Sequence, residues 1–103
     1  MGYNIVVTEN ADRDLEEVLD YIIHALGNPS AAANLLKKTE ECCEQLRRFP
    51  FLYETCRSPR LRESGYRRAV VDNYILVYHP VEKEHTVYVL RFFYGGMEYE
   101  KLI

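Results

Sequence analysis

The sequence predicts an α+β fold in which a pair of helices covers one face of a small sheet. An apolar run at residues 3–7 indicates a first strand, and two segments with helical spacing, 11–26 and 29–49, indicate the helices. Further runs that are rich in β-branched and aromatic residues indicate three strands at 67–71, 74–79 and 86–94. The predicted order is therefore β-α-α-β-β-β, followed by a short C-terminal tail. With 103 residues, 48% of them apolar, the chain suffices for one domain, 1–103, with a small core.

The first helix follows directly on the first strand. Thr8 stands where a helix N-cap is expected, and Glu9 adds negative charge to the first turn, where the helix dipole favours it. From Leu15 to Leu26 the apolar residues fall on a single stripe. We expect the acidic residues between them to occupy the solvated outer face. They are Asp12, Asp14, Glu16, Glu17 and Asp20.

The second helix has signals at both ends. Asn28 is expected to cap it and Pro29 suits its first turn, while the apolar stripe continues until Pro50 stops it. Arg47 and Arg48 fall in the last turn, where cations favour the helix dipole; partner binding is the alternative role for this pair. Two helices joined this closely should form a hairpin.

The three later strands are separated by short turns at 72–73 and 82–84, so neighbouring strands should pair antiparallel. Strict alternation along the last strand would place its side chains on the two faces of the sheet in turn. One set is Val87, Val89, Arg91 and Phe93, and the other is Tyr88, Leu90, Phe92 and Tyr94. Neither set is wholly polar, so we expect both faces of the sheet to be at least partly covered, one by the rest of the chain and the other by a partner.

The segment 49–64 reads as a loop, because Pro50, Pro59 and two serines interrupt it. Residues 57–68 contain five arginines and one acidic residue, Glu63, so this segment has a net charge of +4, whereas the whole chain has a net charge of −3. A basic patch on an acidic body suits contact with an acidic partner and argues against general coating of DNA. The arginines are Arg57, Arg60, Arg62, Arg67 and Arg68.

Several classes of site are not indicated. Cys42, Cys43 and Cys56 have no zinc spacing, and we expect them to be reduced. The histidines are scattered, and no phosphate-binding loop, dinucleotide fingerprint or Ser-His-Asp pattern is present, so neither a metal nor a cofactor is expected. No apolar run approaches the roughly 20 residues of a membrane helix, and no signal sequence precedes the first strand. A cytoplasmic protein is therefore expected.

One chemistry suits the remaining polar residues. A ribonuclease can work without a metal when cations hold the scissile phosphate and neighbouring groups transfer the protons. Arg67, Arg68 and Arg91 are candidate phosphate binders, and Tyr94 and Tyr99 could stack on a base or carry a proton. The alternatives stay open: arginines that protect a strand edge from aggregation, and tyrosines that simply pack.

Short motifs along the chain occur in a distinctive order. Thr8-x-x-Ala11-x-x-Asp14-Leu15 and Asn28-Pro29 come first. Gly-Tyr-Arg-Arg (65–68), Asn-Tyr-Ile-Leu-Val-Tyr (73–78) and Val-Leu-Arg-Phe-Phe-Tyr-Gly-Gly (89–96) follow. Taken together, these motifs resemble the RelE/ParE family of bacterial toxins from type II toxin–antitoxin systems. The resemblance spans nearly the whole chain and implies the α+β fold of that family.

The resemblance implies two modes of growth inhibition. RelE-like members cleave messenger RNA in the ribosomal A site with a basic and aromatic cluster, whereas ParE-like members inhibit DNA gyrase by binding it. The nuclease branch tends to have basic residues where this chain has Val70 and Met97. Methionine offers neither charge nor protons, so an endoribonuclease would be weakened here. The full helical hairpin also favours the ParE branch.

The resemblance further implies a set of partners. A cognate antitoxin would neutralise the toxin, and the target would be gyrase or the ribosome with its mRNA; a toxin that retains only antitoxin binding is a third possibility. The assembly would be a homodimer or a toxin–antitoxin hetero-oligomer, with no membrane component. The candidate catalytic residues are Arg67, Arg68, Tyr94 and Tyr99. The candidate target-binding residues are Arg57, Arg60, Arg62 and Arg91.

Overall fold

The computed structural model describes residues 2–103, so Met1 and the predicted domain boundary there lie outside the described residues. The helices are α1 (Glu9–Asp20), α2 (Pro29–Arg48) and α3 (Pro59–Glu63). The strands are β1 (Asn4–Val7), β2 (Arg67–Val71), β3 (Tyr74–Val81) and β4 (Thr86–Tyr94). In the described residues, no helix is both long and apolar enough to span a membrane.

The strands form one mixed sheet in the order β1-β4-β3-β2. β2, β3 and β4 pair antiparallel through the two short turns, and β1 pairs parallel with the first half of β4. The predicted α+β fold, with its helical hairpin between the first strand and the three later ones, is confirmed. β3 extends two residues beyond its predicted end and includes Pro80, which lies past the residues that pair with β2, where no backbone N–H is needed.

Both predicted helix caps are present. The hydroxyl oxygen of Thr8 accepts a hydrogen bond from the Ala11 N–H at 3.2 Å, and the Asn28 side chain accepts one from the Ala31 N–H at 3.1 Å. α1 runs on through a wider π-helical turn, Tyr21–Ala25, before the chain turns at Gly27 with φ +61°. The cap at Thr8 therefore fixes where β1 ends and α1 begins.

The two faces of the sheet carry separate apolar cores. The larger core lies between the sheet and the two long helices; Leu46 and Tyr78, both fully buried, are among its largest members. The smaller core lies on the other face, where Leu61 of α3 and Tyr99 of the C-terminal tail pack on Val77 and Phe93. We call these the helix face and the second face. Both faces are at least partly covered, as expected, but α3 and the tail of this chain cover the second face, where a partner was expected.

The cover of the second face differs from the sequence interpretation at one point. The segment 49–64 was expected to be a loop throughout, but it contains α3, which starts at Pro59 and buries Leu61. Proline fits the first turn of a helix, and the apolar second face gives so short a helix a surface to pack on. The tail forms a 3₁₀ turn, Tyr99–Leu102, over the same face.

The expected alternation along β4 is wrong in its second half. A register shift opposite Val77 and Tyr78 leaves Leu90 as an extra residue on β4. Val89 still faces the helices, but the bulge moves Phe93 to the second face and Phe92 to the helix face. A bulge reverses the in-and-out order of every residue that follows it.

Candidate functional site

The structure places Arg67 and Arg68 on opposite faces of the sheet. In the β2–β3 register Arg67 pairs with Tyr78 and Arg68 with Val77. Directly opposed residues share a face, and Tyr78 belongs to the helix-face core whereas Val77 belongs to the second-face core. The two neighbouring arginines therefore cannot hold one phosphate together in this arrangement.

Arg67 is used within the protein. Its Nη1 donates to the carbonyl oxygen of Tyr53 at 2.6 Å and to that of Phe51 at 3.5 Å. Its guanidinium also lies 5.0 Å from the centre of the Phe51 ring. These contacts hold the segment after α2 against the start of β2, so Arg67 acts here as a positioning residue.

Four arginines lie in α3 or next to it, at the rim of the second face, and we call them the arginine rim. Arg57, Arg60 and Arg62 are exposed, and Arg68 is half-buried beside Tyr99. None of the four forms an ion pair with an acidic residue in the part of the chain that the structure describes. Arg60 donates from Nη2 to the carbonyl oxygen of Glu100 at 2.7 Å, which ties the tail to α3. The rim is therefore a surface of largely uncompensated positive charge.

Tyr99 is covered by its surroundings. Only 5% of its surface is exposed, and its ring stacks on Phe93 with centroids 6.0 Å apart. Burial raises the pKa of its hydroxyl, although the positive charge of Arg68 beside it acts in the opposite direction. A hydroxyl in this position is protonated near neutral pH and is out of reach of a large substrate while the tail stays in place.

Arg91 binds Asp14 of α1 in a bidentate pair. The Nε–Oδ2 and Nη2–Oδ1 distances are 2.7 and 3.0 Å, and Nη1 donates to the carbonyl oxygen of Leu102 at 3.1 Å. Hydrogen bonding to Asp14 raises the pKa of Arg91, which is charged in any case. The expected solvated position of Asp14 is wrong: its side chain is 14% exposed, because it lies against β4 and accepts hydrogen bonds from Arg91 and the Phe92 N–H.

Tyr94 lies apart from Arg68 and Tyr99, at the far end of β4. Its side chain is 54% exposed and meets Tyr74 edge to face, with ring centroids 5.9 Å apart. Met97, 47% exposed, lines the same cleft as both rings. The four candidate catalytic residues are thus distributed over three places, with only Arg68 and Tyr99 adjacent.

An apolar groove of about 500 Å³ runs between the two long helices and beside β1. Its floor includes Leu76 and Phe92 of the sheet, and Val7 and Leu36 stand partly exposed on its walls. Charged side chains line its rim, three acidic and one basic: Asp12, Glu40, Glu44 and Arg47. An open groove over a hydrophobic core is a typical place for an apolar segment of a partner.

The described residues show no cluster of three or more His, Cys, Asp or Glu side chains that could hold a metal ion. The cysteines are free thiols, as the sequence analysis expected. Burial raises the pKa of Cys42 to about 12, and the adjacent Cys43 adds to the shift. Burial, with the charges of Glu40 and Glu44, also raises the pKa of Cys43. These thiols are therefore poor nucleophiles near neutral pH.

Sequence reasoning missed the groove and the anchoring role of Asp14. The groove depends on how far apart α1 and α2 lie over the sheet, which no local pattern specifies. Asp14 carried a weak signal, because it sits next to Leu15 on the side of α1 that faces the sheet. Its partner Arg91 is 77 positions away in the chain, so only the fold brings them together.

Comparison with solved structures finds the same fold in toxin–antitoxin proteins. A chromosomal ParDE system from P. aeruginosa contains a chain that matches with a TM-score of 0.70 and 17% identity, over 89% of this chain and 95% of that one. The RelBE2 complex from Mycobacterium tuberculosis matches with a TM-score of 0.58 and 22% identity, over 91% and 99%. The RelE–RelB complex from Pyrococcus horikoshii matches with a TM-score of 0.57 and 16% identity, over 93% of this chain and 98% of that one.

Sequence comparison is more specific. Among curated protein sequences, none matches the chain significantly. The model of the ParE toxin of the type II toxin–antitoxin system, parDE, matches residues 5–99, a span that includes β1 from its second residue, both long helices and the whole of β2 to β4. This chain therefore belongs to the ParE family of toxins from type II toxin–antitoxin systems.

Proposed function

We propose that the protein arrests growth by binding DNA gyrase and that a cognate antitoxin neutralises it by covering the apolar groove. The observation that carries the choice of gyrase over RNA cleavage is the separation of the candidate catalytic residues. Metal-independent cleavage needs cations and proton-transfer groups around one phosphate. Arg67 lies on the other face of the sheet from Arg68, Tyr94 is the last residue of β4 and packs on Tyr74, and Met97 adds no charge.

The arginine rim is the surface that we assign to the target. Its guanidinium groups have no acidic partners within residues 2–103, although the chain as a whole is acidic. A group of unpaired arginines creates a local positive potential. This potential speeds the encounter with an acidic surface. DNA held by gyrase offers phosphates, which the guanidinium group of arginine binds well.

The antitoxin is assigned to the groove between the helices. The solved relatives with the same fold include toxin–antitoxin complexes, which supports such a partner for this chain. An amphipathic segment could place its apolar side chains against Leu36 and Val7 and basic side chains against Glu40 and Glu44. The groove and the arginine rim lie on opposite faces of the sheet, so the two assignments can be tested separately.

The target assignment is tested with purified gyrase in a DNA supercoiling assay. Wild-type protein should inhibit supercoiling, and the double variant Arg57→Glu/Arg62→Glu should require at least about tenfold more protein for the same inhibition. The matched control, Arg13→Glu/Arg48→Glu, changes the net charge equally at exposed helix positions and should behave as wild type. Equal inhibition by both double variants would exclude the rim as the target surface.

The RNase alternative is tested in parallel on ribosome-bound mRNA. Arg68 beside Tyr99 is the one candidate pair that the fold keeps together, and it favours this alternative. Cleavage by the wild-type protein, without effect on gyrase, would replace our proposal with a metal-independent endoribonuclease. If neither target responds but the antitoxin binds, the chain retains only antitoxin binding.

The antitoxin assignment is tested with the protein encoded beside the toxin gene. Leu36→Glu places a charge in the groove and should weaken the complex by about a hundredfold or more. Leu26→Glu is the matched control, because Leu26 is also exposed but lies outside the groove. Loss of binding in both variants would point to misfolding, and unchanged binding of Leu36→Glu would contradict the assignment.

A further inference from the structure

A cleft at the free end of β4 combines exposed aromatic rings with an unpaired carboxylate. It encloses about 410 Å³ between the C-terminal half of α1, the end of β4 and the tail. Tyr21, Tyr94, Met97 and Leu102 line it and are each about half exposed, so apolar surface collects here. The cleft shares only Phe92 with the lining of the antitoxin groove, and it contains no residue of the arginine rim. It is therefore a separate surface without an assigned occupant.

Two tyrosine rings form a corner in this cleft. Tyr74 and Tyr94 meet at an interplanar angle of 77°, and Phe92 stacks behind Tyr74 with its centroid 5.2 Å away. Gly96 lies against the ring of Tyr94, since a Cβ at that glycine would come within 2.8 Å of the Tyr94 Cε2 atom. Each ring is thus held by a neighbouring group, Tyr74 by Phe92 and Tyr94 by Gly96. Two nearly perpendicular, supported rings are a geometry that suits a cationic group.

The charges around the corner are unequal. Asp14 and Glu17 line the cleft together with Arg91, two carboxylates against one guanidinium. Both oxygens of Asp14 are taken by Arg91, which neutralises that pair. Glu17 is exposed and forms no ion pair among residues 2–103, although its charge also acts on Arg91. One negative charge is left beside the electron-rich rings, so an anionic ligand would be repelled and a cation attracted.

We propose that this cleft receives an arginine or lysine side chain of the antitoxin. The charged group sits between the Tyr74–Tyr94 corner and Glu17, and the aliphatic stem lies on Met97 and Leu102. Long cationic side chains combine these two requirements, an apolar stem and a charged end, in one residue. The inference rests on the proposed function only for the identity of the partner; the preference of the cleft for a cationic side chain rests on its own residues.

The first test measures affinity for the antitoxin in two charge variants of the toxin. Glu17→Gln removes the unpaired carboxylate and should weaken binding by roughly threefold to tenfold. Met97→Arg places a cation at the mouth of the cleft and should weaken binding by about tenfold or more. The matched controls are Glu16→Gln on the exposed side of α1 and Val70→Arg on β2, and both should stay within about twofold of wild type. Unchanged affinity of Met97→Arg would overturn the proposal.

The second test does not need the antitoxin. A blocked Leu-Arg-Leu tripeptide is titrated into the toxin while the tyrosine-ring NMR signals are recorded, and the same peptide with citrulline in place of arginine serves as the uncharged control. The arginine peptide should shift the signals of Tyr74 and Tyr94, with an affinity about tenfold above that of the citrulline peptide. Equal affinities, or no shift of these two rings, would overturn the cation preference. If wild-type toxin binds no antitoxin at all, the proposed function fails. This titration alone then decides whether the cleft prefers a cationic side chain.

Discussion

Asp14 is the residue whose removal should reveal most about how the fold is held together. Its carboxylate accepts hydrogen bonds from Arg91 Nε at 2.7 Å and Nη2 at 3.0 Å, and from the Phe92 backbone N–H at 3.0 Å. It thereby joins α1 to β4 beyond the point where β1 stops pairing. Asp14→Ala removes all three acceptor contacts and leaves Arg91, whose side chain is only 24% exposed, without its bonded counter-charge; the charge of Glu17 still acts on it.

The expected loss of stability is about 3 kcal/mol. Hydrogen bonds to charged groups contribute roughly 1.5–3 kcal/mol each, and breaking a fully buried ion pair costs about 3–5 kcal/mol. Two features reduce the total below that sum. Arg91 is partly exposed and keeps its bond to the Leu102 carbonyl oxygen, and its guanidinium lies 4.6 Å from the centre of the Phe93 ring. Water can also reach the Phe92 N–H once the carboxylate is gone.

The assay is equilibrium unfolding in urea, with Glu16→Ala as a control at an exposed position of the same helix. With an m-value of about 1.5 kcal/mol per molar urea, the midpoint of Asp14→Ala should fall by about 2 M, whereas that of the control should move by less than about 0.4 M. A double-mutant cycle with Arg91→Met should give a coupling energy of about 1.5–3 kcal/mol. A loss below about 1 kcal/mol for Asp14→Ala, or no coupling, would refute this reading of the contact.

Three further predictions concern packing, backbone and pH. Leu46 has no exposed surface, so Leu46→Ala should lower the free energy of unfolding by about 2–5 kcal/mol in the same urea assay; a loss below about 1 kcal/mol would contradict its place in the core. Both Gly27 and Gly65 have positive φ, so an alanine at either position should lower the free energy of unfolding. The loss should be about 1 kcal/mol for Gly27→Ala and about 2 kcal/mol for Gly65→Ala, because a Cβ at Gly65 would also lie 3.1 Å from His79 Nε2. Equal losses would show that the His79 side chain moves aside at no cost. Burial raises the pKa of Cys42 from 9.0 to about 12. The unfolded chain therefore loses this proton first, and stability should be full below about pH 9 and fall by up to about 1.4 kcal/mol per pH unit above it. The urea midpoint should fall less steeply with rising pH for Cys42→Ala than for the wild type. An unchanged slope would exclude the Cys42 thiol as a cause of the pH dependence.

Local signals in the sequence located the elements well. Thr8 and Asn28 act through hydrogen bonds to residues three positions away, so their capping roles are visible without the fold. The strand bounds at Arg67–Val71 and Thr86–Tyr94 agree with the predicted ranges, since composition and turn residues are also local. The parallel pairing of β1 with β4 was not specified, because β1 could have joined any free edge of the later strands.

The candidate site was harder to predict than the elements because it depends on which face each side chain takes. Alternation correctly separates Arg67 from Arg68, which excludes their joint action on one phosphate even from sequence. Proximity in sequence had suggested a cluster instead. The tail and α3 also mattered, since they bury Tyr99 and turn the arginines outward into the rim. A residue's chemistry could be read locally, but its accessibility depends on segments distant in the chain.

The bulge at Leu90 shows why one local rule fails in the middle of an otherwise regular strand. β1 pairs with β4 only as far as Val89, and Thr8 then turns the chain into α1. The Thr8 N–H and hydroxyl both donate to the Val89 carbonyl oxygen at 3.0 Å, and the hydroxyl also reaches the Leu90 carbonyl oxygen at 3.0 Å. The carbonyls of the bulge are thus satisfied by a residue more than 80 positions away, so no glycine or other local signal is needed in β4. The same shift places Arg91 opposite Val77 and over the Phe93 ring, on the second face, and its guanidinium reaches Asp14 of α1 from there.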